Sequence, residues 1–510
     1  MKKLICMLLT LAMLIPAMSI YATEAGFEDV AESDWYYNAV IYCFENGLMD
    51  GVSDTAFNPK GVVTRAQFVR ALANMEGVNL DDYADAASET LFIDVEASAW
   101  YATAVEWARQ NEIVKGSSET TFNPLGQVTR QQMATMFERY ASLKGQKVDY
   151  DSDLGVFSDK DAISEWAENG VKYSVAIGLF EGNEKGEFSP VGKATRAQLA
   201  TVLMRFDSRS DSRILCWGDS LTMGIETGWG DFVDIPYAER LGEYLGVESV
   251  NLGIGSETSD MIAMRQGGIP VYVDDVTIPA DCTPVEIAPM VDGSDEVSPF
   301  GLYGFEGIND CEIAGVKGRI TDENGGNGSR WNTAIYFTRS EAGEEVQITE
   351  PTRIITKYMA EKRDDDVLVI WVGSNDLYGA NDTSLFDTIV ANQQAIIDYA
   401  GTDEYIIVGY TADMYIGNNN YRTCVDDYNA LMAEKWGEKF LDVKAYMGTE
   451  QCLADHGIEP TAQDVEFLNK GWIPPSLLED SANLIHFNQL GYDIVADMVA
   501  QKIVELGYLK

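Results

Sequence analysis

The sequence predicts an α/β domain built on a parallel sheet, preceded by a mostly α-helical triple repeat. Three observations carry that expectation. From Arg213 onward, short apolar strands alternate with amphipathic helices, the pattern of a parallel sheet covered on both faces. From Phe27 to Asp207 the chain repeats itself about every 65 residues. At 510 residues it is too long for one core, so two or more domains are required.

With 36 basic and 82 acidic residues the formal charge is −46. Such a surface repels phosphate backbones and anionic lipid, which argues against nucleic acid and membrane surfaces as partners. Residues 1–22 read as a secretory signal peptide: Lys2 and Lys3 precede an apolar run from Leu4 to Ile20, and small residues stand at Ala17, Ser19 and Ala22. No later stretch is apolar for long enough to span a bilayer. The cysteines stand at no metal-ligand spacing, so no metal is expected. Cys43 and Cys216 lie in apolar surroundings and read as free core thiols, whereas Cys282 with Cys311, and Cys424 with Cys452, are open candidates for disulfides in an exported protein.

The repeat has fixed landmarks. Phe27-Glu-Asp29, Phe92-Ile-Asp94 and Phe157-Ser-Asp159 open the units, and Trp35, Trp100 and Trp166 follow. Then come Phe57-Asn-Pro59, Phe122-Asn-Pro124 and Phe188-Ser-Pro190, and finally Thr64-Arg-Ala-Gln67, Thr129-Arg-Gln-Gln132 and Thr195-Arg-Ala-Gln198. Each Thr sits where a helix N-cap belongs, because its hydroxyl can accept from a free amide of the first turn. These units, at 27–76, 92–142 and 156–207, resemble S-layer homology domains. The resemblance implies anchoring of an exported bacterial protein to secondary cell-wall polysaccharide. The family commonly has Glu where Gln67, Gln132 and Gln198 stand, and Gln can complete the same capping box. Trp35, Trp100 and Trp166 are either core or sugar-binding; Arg65, Arg130 and Arg196 are either buried ion-pair formers or, as the planar permanent charge suggests, ligands of an anionic sugar substituent.

Phe206 to Arg213 is short, polar and free of apolar periodicity, and reads as a linker to a domain over 208–510. Ile214 to Trp217 is a buried strand, Tyr237 to Leu245 a helix, Glu248 to Asn251 a strand and Ser259 to Gln266 a helix. Val367 to Trp371 and Tyr405 to Val408 are strands separated by a helix over Leu385 to Ala400. A helix around Val425 to Trp436 precedes a short strand at Phe440 to Asp442, and a helix from Leu490 to Glu505 closes the chain. Residues 267–349 interrupt this rhythm with β-type runs, including Ile313-Ala-Gly-Val316, among Gly, Pro and Asp. This is a β-rich insertion, expected either to wall the active site or to decorate the surface.

The chemistry is expected where the first strand ends in Gly218-Asp219-Ser220-Leu221, since Gly218 permits a sharp turn at the carboxyl edge of the sheet, where α/β active sites lie. An α/β-hydrolase elbow would need Gly at Thr222, a Ser-x-x-Lys enzyme Lys at Met223, and a dinucleotide fingerprint Gly at Thr258. Three further stretches follow: Asn251-Leu-Gly253-Ile-Gly255-Ser256-Glu-Thr-Ser259, Gly373-Ser374-Asn375-Asp376, and His486-Phe-Asn-Gln-Leu-Gly491-Tyr492. In that order the four blocks resemble the GDSL, or SGNH, hydrolase family.

The resemblance implies a flavodoxin-like three-layer domain and a serine esterase that works through an acyl-enzyme without metal or cofactor. It implies Ser220 as nucleophile and His486 as base, with oxyanion donors from the backbone of Ser220 and Ser256 and the side chain of Asn375. Serine needs a base within reach, and the chain has only two histidines, of which His456 matches no block. The family acid stands three residues before the histidine, and Asn483 occupies that place, with Asp480 six before. Three readings follow: Asp480 loops back to the imidazole, Asn483 or a carbonyl leaves a dyad, or the enzyme is impaired. The first is preferred, since an Asn substitution of the acid lost about 10⁴ in turnover in an unrelated serine protease. Tethering at the surface and the family's habits together suggest carbohydrate O-acetyl esters as substrates. Lipid or other small acyl esters come second, and a non-catalytic wall-binding protein is the alternative of another class.

Overall fold

The computed structural model describes residues 27–148, 154–183, 185–226, 231–291, 309–322, 334–377, 383–411, 419–480 and 483–509. The expected signal peptide lies outside them. Among the described residues no helix is long and apolar enough to cross a membrane.

Each repeat supplies a helix after its aromatic landmark (Tyr37–Glu45, Ala102–Gln110, Glu168–Ala176) and a second after Thr-Arg (Arg65–Met75, Arg130–Leu143, Arg196–Asp207). Thr64, Thr129 and Thr195 are the N-caps of the second helices, and each receives the amide of Gln67, Gln132 or Gln198 while that glutamine's Oε1 accepts from the Thr amide. The capping box therefore survives Gln in place of Glu. Backbone bridges join Thr64 to Gln127, Thr129 to Lys193 and Thr195 to Val62, so the third unit returns to the first and the three close as a ring.

The arginines bolt that ring. Arg65 Nε donates to Phe122 O at 2.9 Å, Arg130 Nε to Phe188 O at 2.7 Å, and Arg196 Nε to Phe57 O at 2.8 Å, each reaching from one repeat into the next. Their Nη2 atoms bond a second carbonyl, of Lys115, Glu181 and Asp50 respectively. Each guanidinium also lies over the phenylalanine ring whose carbonyl it holds. Burial pulls all three guanidinium pKa values down from their ordinary range. Removing one leaves the phenylalanine carbonyl without its guanidinium donor, and a charged hydrogen bond contributes about 1.5–3 kcal/mol. Arg196→Ala, the most buried of the three, is expected to lower the unfolding free energy of the repeat region by about 3 kcal/mol, read from urea denaturation; an unchanged midpoint would contradict the bolt.

No extended linker follows. Helix Arg196–Asp207 passes through a 3₁₀ turn at Ser208–Asp211 directly into strand Arg213–Gly218. Two of the polar letters that suggested a linker are buried: Arg209, and Arg213, which forms a two-pronged pair with Asp366 at 2.7 and 2.8 Å.

The second half is a five-stranded parallel sheet in the order Phe440–Leu441, Tyr405–Val408, Val367–Trp371, Arg213–Gly218, Glu248–Gly253. Numbered along the chain this is 2-1-3-4-5, the flavodoxin order. Side chains alternate across it: Ile214 and Cys216 meet helices Tyr237–Leu245 and Gln489–Glu505, while Leu215 and Trp217 meet Ser259–Gln266, Phe386–Ala400 and Asn419–Trp436. Three layers result.

The insertion forms a six-stranded sheet that begins at Tyr272–Val273 and closes with Thr352–Thr356, a few residues beyond the expected 349, because that last strand pairs back on the first. In the Ile313-Ala-Gly-Val316 run Ile313 ends one strand and Val316 opens the next, and between them Ala314 and Gly315 make the hairpin turn, both left-handed at φ 50° and 81°. Helix Ser259–Gln266 runs back from the carboxyl edge of the sheet, so the insertion leaves at Gly267 and returns before Val367 at the amino edge. It is rooted at the amino edge of the sheet, opposite the edge that carries Ser220. Cys43, Cys216, Cys282, Cys311 and Cys452 are all free, so Cys282 and Cys311 are not joined, and the side chain of Cys424 lies outside those described.

Candidate active site

The switch point of a 2-1-3-4-5 sheet lies between strands Arg213–Gly218 and Val367–Trp371, whose carboxyl ends diverge to opposite layers. Ser220 follows the first and Asn375 the second. Ser220 opens a helix of one turn, Ser220–Met223, seated directly on the strand ends. The close seating explains two glycines: a Cβ on Gly218 would lie 2.0 Å from Thr222 Oγ1, and one on Gly253 would lie 2.2 Å from the Met223 amide. Asp219 caps this helix, its Oδ1 accepting from Leu221 N at 3.0 Å. Burial raises the Asp219 carboxyl to about 7, only partly offset by that amide.

His486 is carried by strand Asn483–Phe487, and its Nε2 stands 2.9 Å from Ser220 Oγ. The block around it has a backbone task at nearly every letter. Phe487 stacks on Trp371 and meets Tyr492 edge-on, Asn488 caps the last helix, Gln489 bonds both backbone groups of Ile235, and Tyr492 Oη donates to Ile225 O behind the Ser220 turn. A Cβ on Gly491 would lie 2.5 Å from Leu477 O. His456 is spent elsewhere, its Nδ1 against Cys452 O at 2.7 Å at the end of a helix.

Among the described residues nothing bonds Nδ1 of His486, and burial lowers its pKa from 6.5 to about 4. The side chains of Asp480 and Asn483 lie outside those described; their backbones are opposite each other in a two-stranded hairpin. A neutral imidazole is the form that can accept the serine proton, so kcat/KM of the free enzyme is expected to hold well below pH 6.5, with an acid limb near pH 4. A limb at or above 6.5 would report a carboxylate on Nδ1, and its loss in Asp480→Asn would assign that carboxylate. Because the folded pKa lies below the unfolded one, the unfolded chain takes the proton first, and the group subtracts stability as pH falls below 6.5.

The second and third blocks are stitched together beside Ser220. Ser256 is left-handed at φ 66°, the conformation a glycine would supply. Asn375 Nδ2 donates to Glu257 O at 2.9 Å and, at a longer 3.2 Å, to Asp219 Oδ2. Asp376 receives the Ser259 amide and hydroxyl at 2.8 and 2.6 Å. The first-turn amide of Ser220 has no intrahelical acceptor. The site thus brings together Ser220, His486, Asn375 and the Ser256 turn. Asp219, Glu257, Asp376 and Arg265 belong to it as well. The sequence signalled them only as acids inside the first three blocks and an arginine near the end of the helix Ser259–Gln266. Among the described residues no group of His, Cys, Asp or Glu could hold a metal ion.

In the repeats Trp35, Trp100 and Trp166 are 69%, 58% and 55% exposed, which removes the core reading of these side chains.

The comparisons with known proteins concern mostly the repeats. Residues 26–69, 91–134 and 156–200 match the S-layer homology domain. An amylopullulanase of Thermoanaerobacterium thermosulfurigenes is 28% identical over 35% of this chain, and an exoglucanase XynX of Acetivibrio thermocellus 27% over 36%. A cellulosome-anchoring protein of Acetivibrio thermocellus is 24% identical over 37% of this chain and 40% of its own length. The chain spans only 9% and 16% of the lengths of the first two. A solved chain assigned to the G-D-S-L family of lipolytic proteins, from Desulfitobacterium hafniense DCB-2, is 13% identical over 57% of this chain and 98% of its own, with a TM-score of 0.29, too low to carry an argument. Three S-layer homology domains form the N-terminal part of the chain.

Proposed function

We propose that the chain is a cell-wall-anchored serine esterase of SGNH type that removes acyl groups, acetyl foremost, from carbohydrate esters. The observation that carries the reading is the 2.9 Å contact between Ser220 Oγ and Nε2 of a half-buried His486, whose lowered pKa keeps it neutral, at the switch point of the sheet. His486 takes the serine proton as Oγ attacks the ester carbonyl, then returns it to the leaving alkoxide; water repeats the cycle on the acyl-enzyme. The oxyanion would be met by the Ser220 and Ser256 amides and by Asn375, whose longer bond to Asp219 is the one a developing charge would displace. Asp480 is the third member in the triad form of this reading, and the pH limb separates that form from a dyad. No cofactor takes part.

With three S-layer homology domains the protein is exported and associated with the cell surface. The reading assigns secondary cell-wall polysaccharide to the repeats, with the exposed Trp35, Trp100 and Trp166 as sugar platforms and Arg65, Arg130 and Arg196 shaping the grooves between repeats. Purified protein is expected to pellet with cell walls and to be released when the non-peptidoglycan polymer is stripped. Replacing the three tryptophans together by alanine should reduce retention at least tenfold with an unchanged denaturation midpoint, since stacking contributes about 1 kcal/mol or more per ring. Equal retention would return the tryptophans to a role apart from binding. The esterase reading itself is tested by acetate release from an acetylated polysaccharide beside an aryl acetate; hydrolysis of long-chain acyl esters in preference to both would favour a lipase.

A further inference from the structure

Behind the Ser256 turn lies a pair of charges that the catalytic reading does not use. Glu257 turns its side chain inward and Arg265, on the following helix, meets it; both side chains are 0% exposed. Arg265 Nε lies 3.1 and 3.2 Å from the two carboxylate oxygens and Nη2 lies 2.6 Å from one of them. Nη2 also bonds Leu252 O at 2.8 Å, and the guanidinium sits 5.1 Å from the centre of the Trp217 ring. Trp217 and Leu252 immediately precede Gly218 and Gly253, so one side chain fixes the turn to the ends of two strands.

We propose that the Arg265–Glu257 ion pair positions the oxyanion donors of the esterase site. Glu257 is the residue through which they are joined. Its carbonyl holds Asn375 Nδ2, its amide closes the turn onto Ile254 O at 3.3 Å, and the residue before it is Ser256. A residue with a Cβ resists the left-handed conformation, so Ser256 keeps it only if its neighbours are held. Stability alone does not account for the pair, because apolar side chains of similar volume serve a core at least as well as a buried ion pair. What the pair adds is a fixed distance and direction for Glu257, and through it for the Ser256 amide and the Asn375 side chain. Arg265 and Glu257 are positioning residues, since neither touches the reacting atoms.

This proposal rests on the esterase reading, and the experiment keeps the two apart. Turnover and KM for an aryl acetate, affinity for a boronic acid that forms a tetrahedral adduct with the serine, and the thermal midpoint are measured for the full chain, Arg265→Met, Arg265→Lys, and the double variant Glu257→Gln with Arg265→Met. Arg265→Met is expected to lose about a hundredfold in kcat with KM changed less than about twofold, and boronate affinity is expected to fall in parallel. Arg265→Lys should recover part of kcat. The double variant has no unpaired buried carboxylate, so its midpoint should return toward that of the parent while kcat stays low. Recovery of kcat together with the midpoint would show a structural role only and overturn the proposal, as would an unchanged kcat in Arg265→Met. Should Arg265→Met fail to fold, the double variant decides alone. A parent inert to both ester and boronate would overturn the esterase reading, and this one with it.

Discussion

Ser220→Ala is expected to lose on the order of 10⁶ in turnover, because the attacking oxygen is gone and only binding and the oxyanion donors remain. His486→Ala should lose about as much, since Ser220 Oγ has no other base within hydrogen-bond reach among the described residues. The double variant is the sharper measurement. Two groups that act as one unit are not additive, so Ser220→Ala with His486→Ala should be no worse than either alone. Multiplying losses would mean that the 2.9 Å contact is not the catalytic unit.

Asn375→Ala is expected to reduce kcat by about 10²–10³ with KM nearly unchanged, the signature of a donor that acts on the transition state rather than on bound substrate. Asn375→Asp should be as damaging, since it places a carboxylate beside Asp219 and replaces the amide donors with an acceptor. A loss carried by KM alone would instead make Asn375 a binding residue, and no loss would confine it to holding the Glu257 turn.

Much of this was legible where local chemistry decides the outcome. Val367 to Trp371 and Tyr405 to Val408 stand as strands where their apolar runs predict them. Thr64, Thr129 and Thr195 cap helices because a hydroxyl before an apolar-periodic run has few better uses. The four blocks were readable because Gly218, Gly253 and Gly491 each stand where a side chain would collide, and Asn488 and Tyr492 each hold a backbone group.

What could not be read depends on partners distant in the chain. Arg196 pairs with Phe57 and Asp50 across the whole repeat region, so nothing beside it separated a bolt from a ligand. The polar run at Arg209 to Arg213 resembled a linker because Asp366, which neutralises Arg213, lies 153 positions away. The root of the insertion follows from the direction of helix Ser259–Gln266, and its amphipathic letters carry no direction. Between Ile313 and Val316 the turn was hidden because Ala314 adopts a left-handed conformation that its side chain disfavours.

The most direct test of the central claim is covalent. A fluorophosphonate reacts with a serine only when a base activates it and donors receive the phosphoryl oxygen, so it probes the assembled site rather than the fold. The account predicts stoichiometric labelling of the secreted protein on the peptide containing Ser220, abolished in Ser220→Ala and in His486→Ala. A folded, wall-bound protein that takes no label, or takes it at another serine, would contradict the assignment.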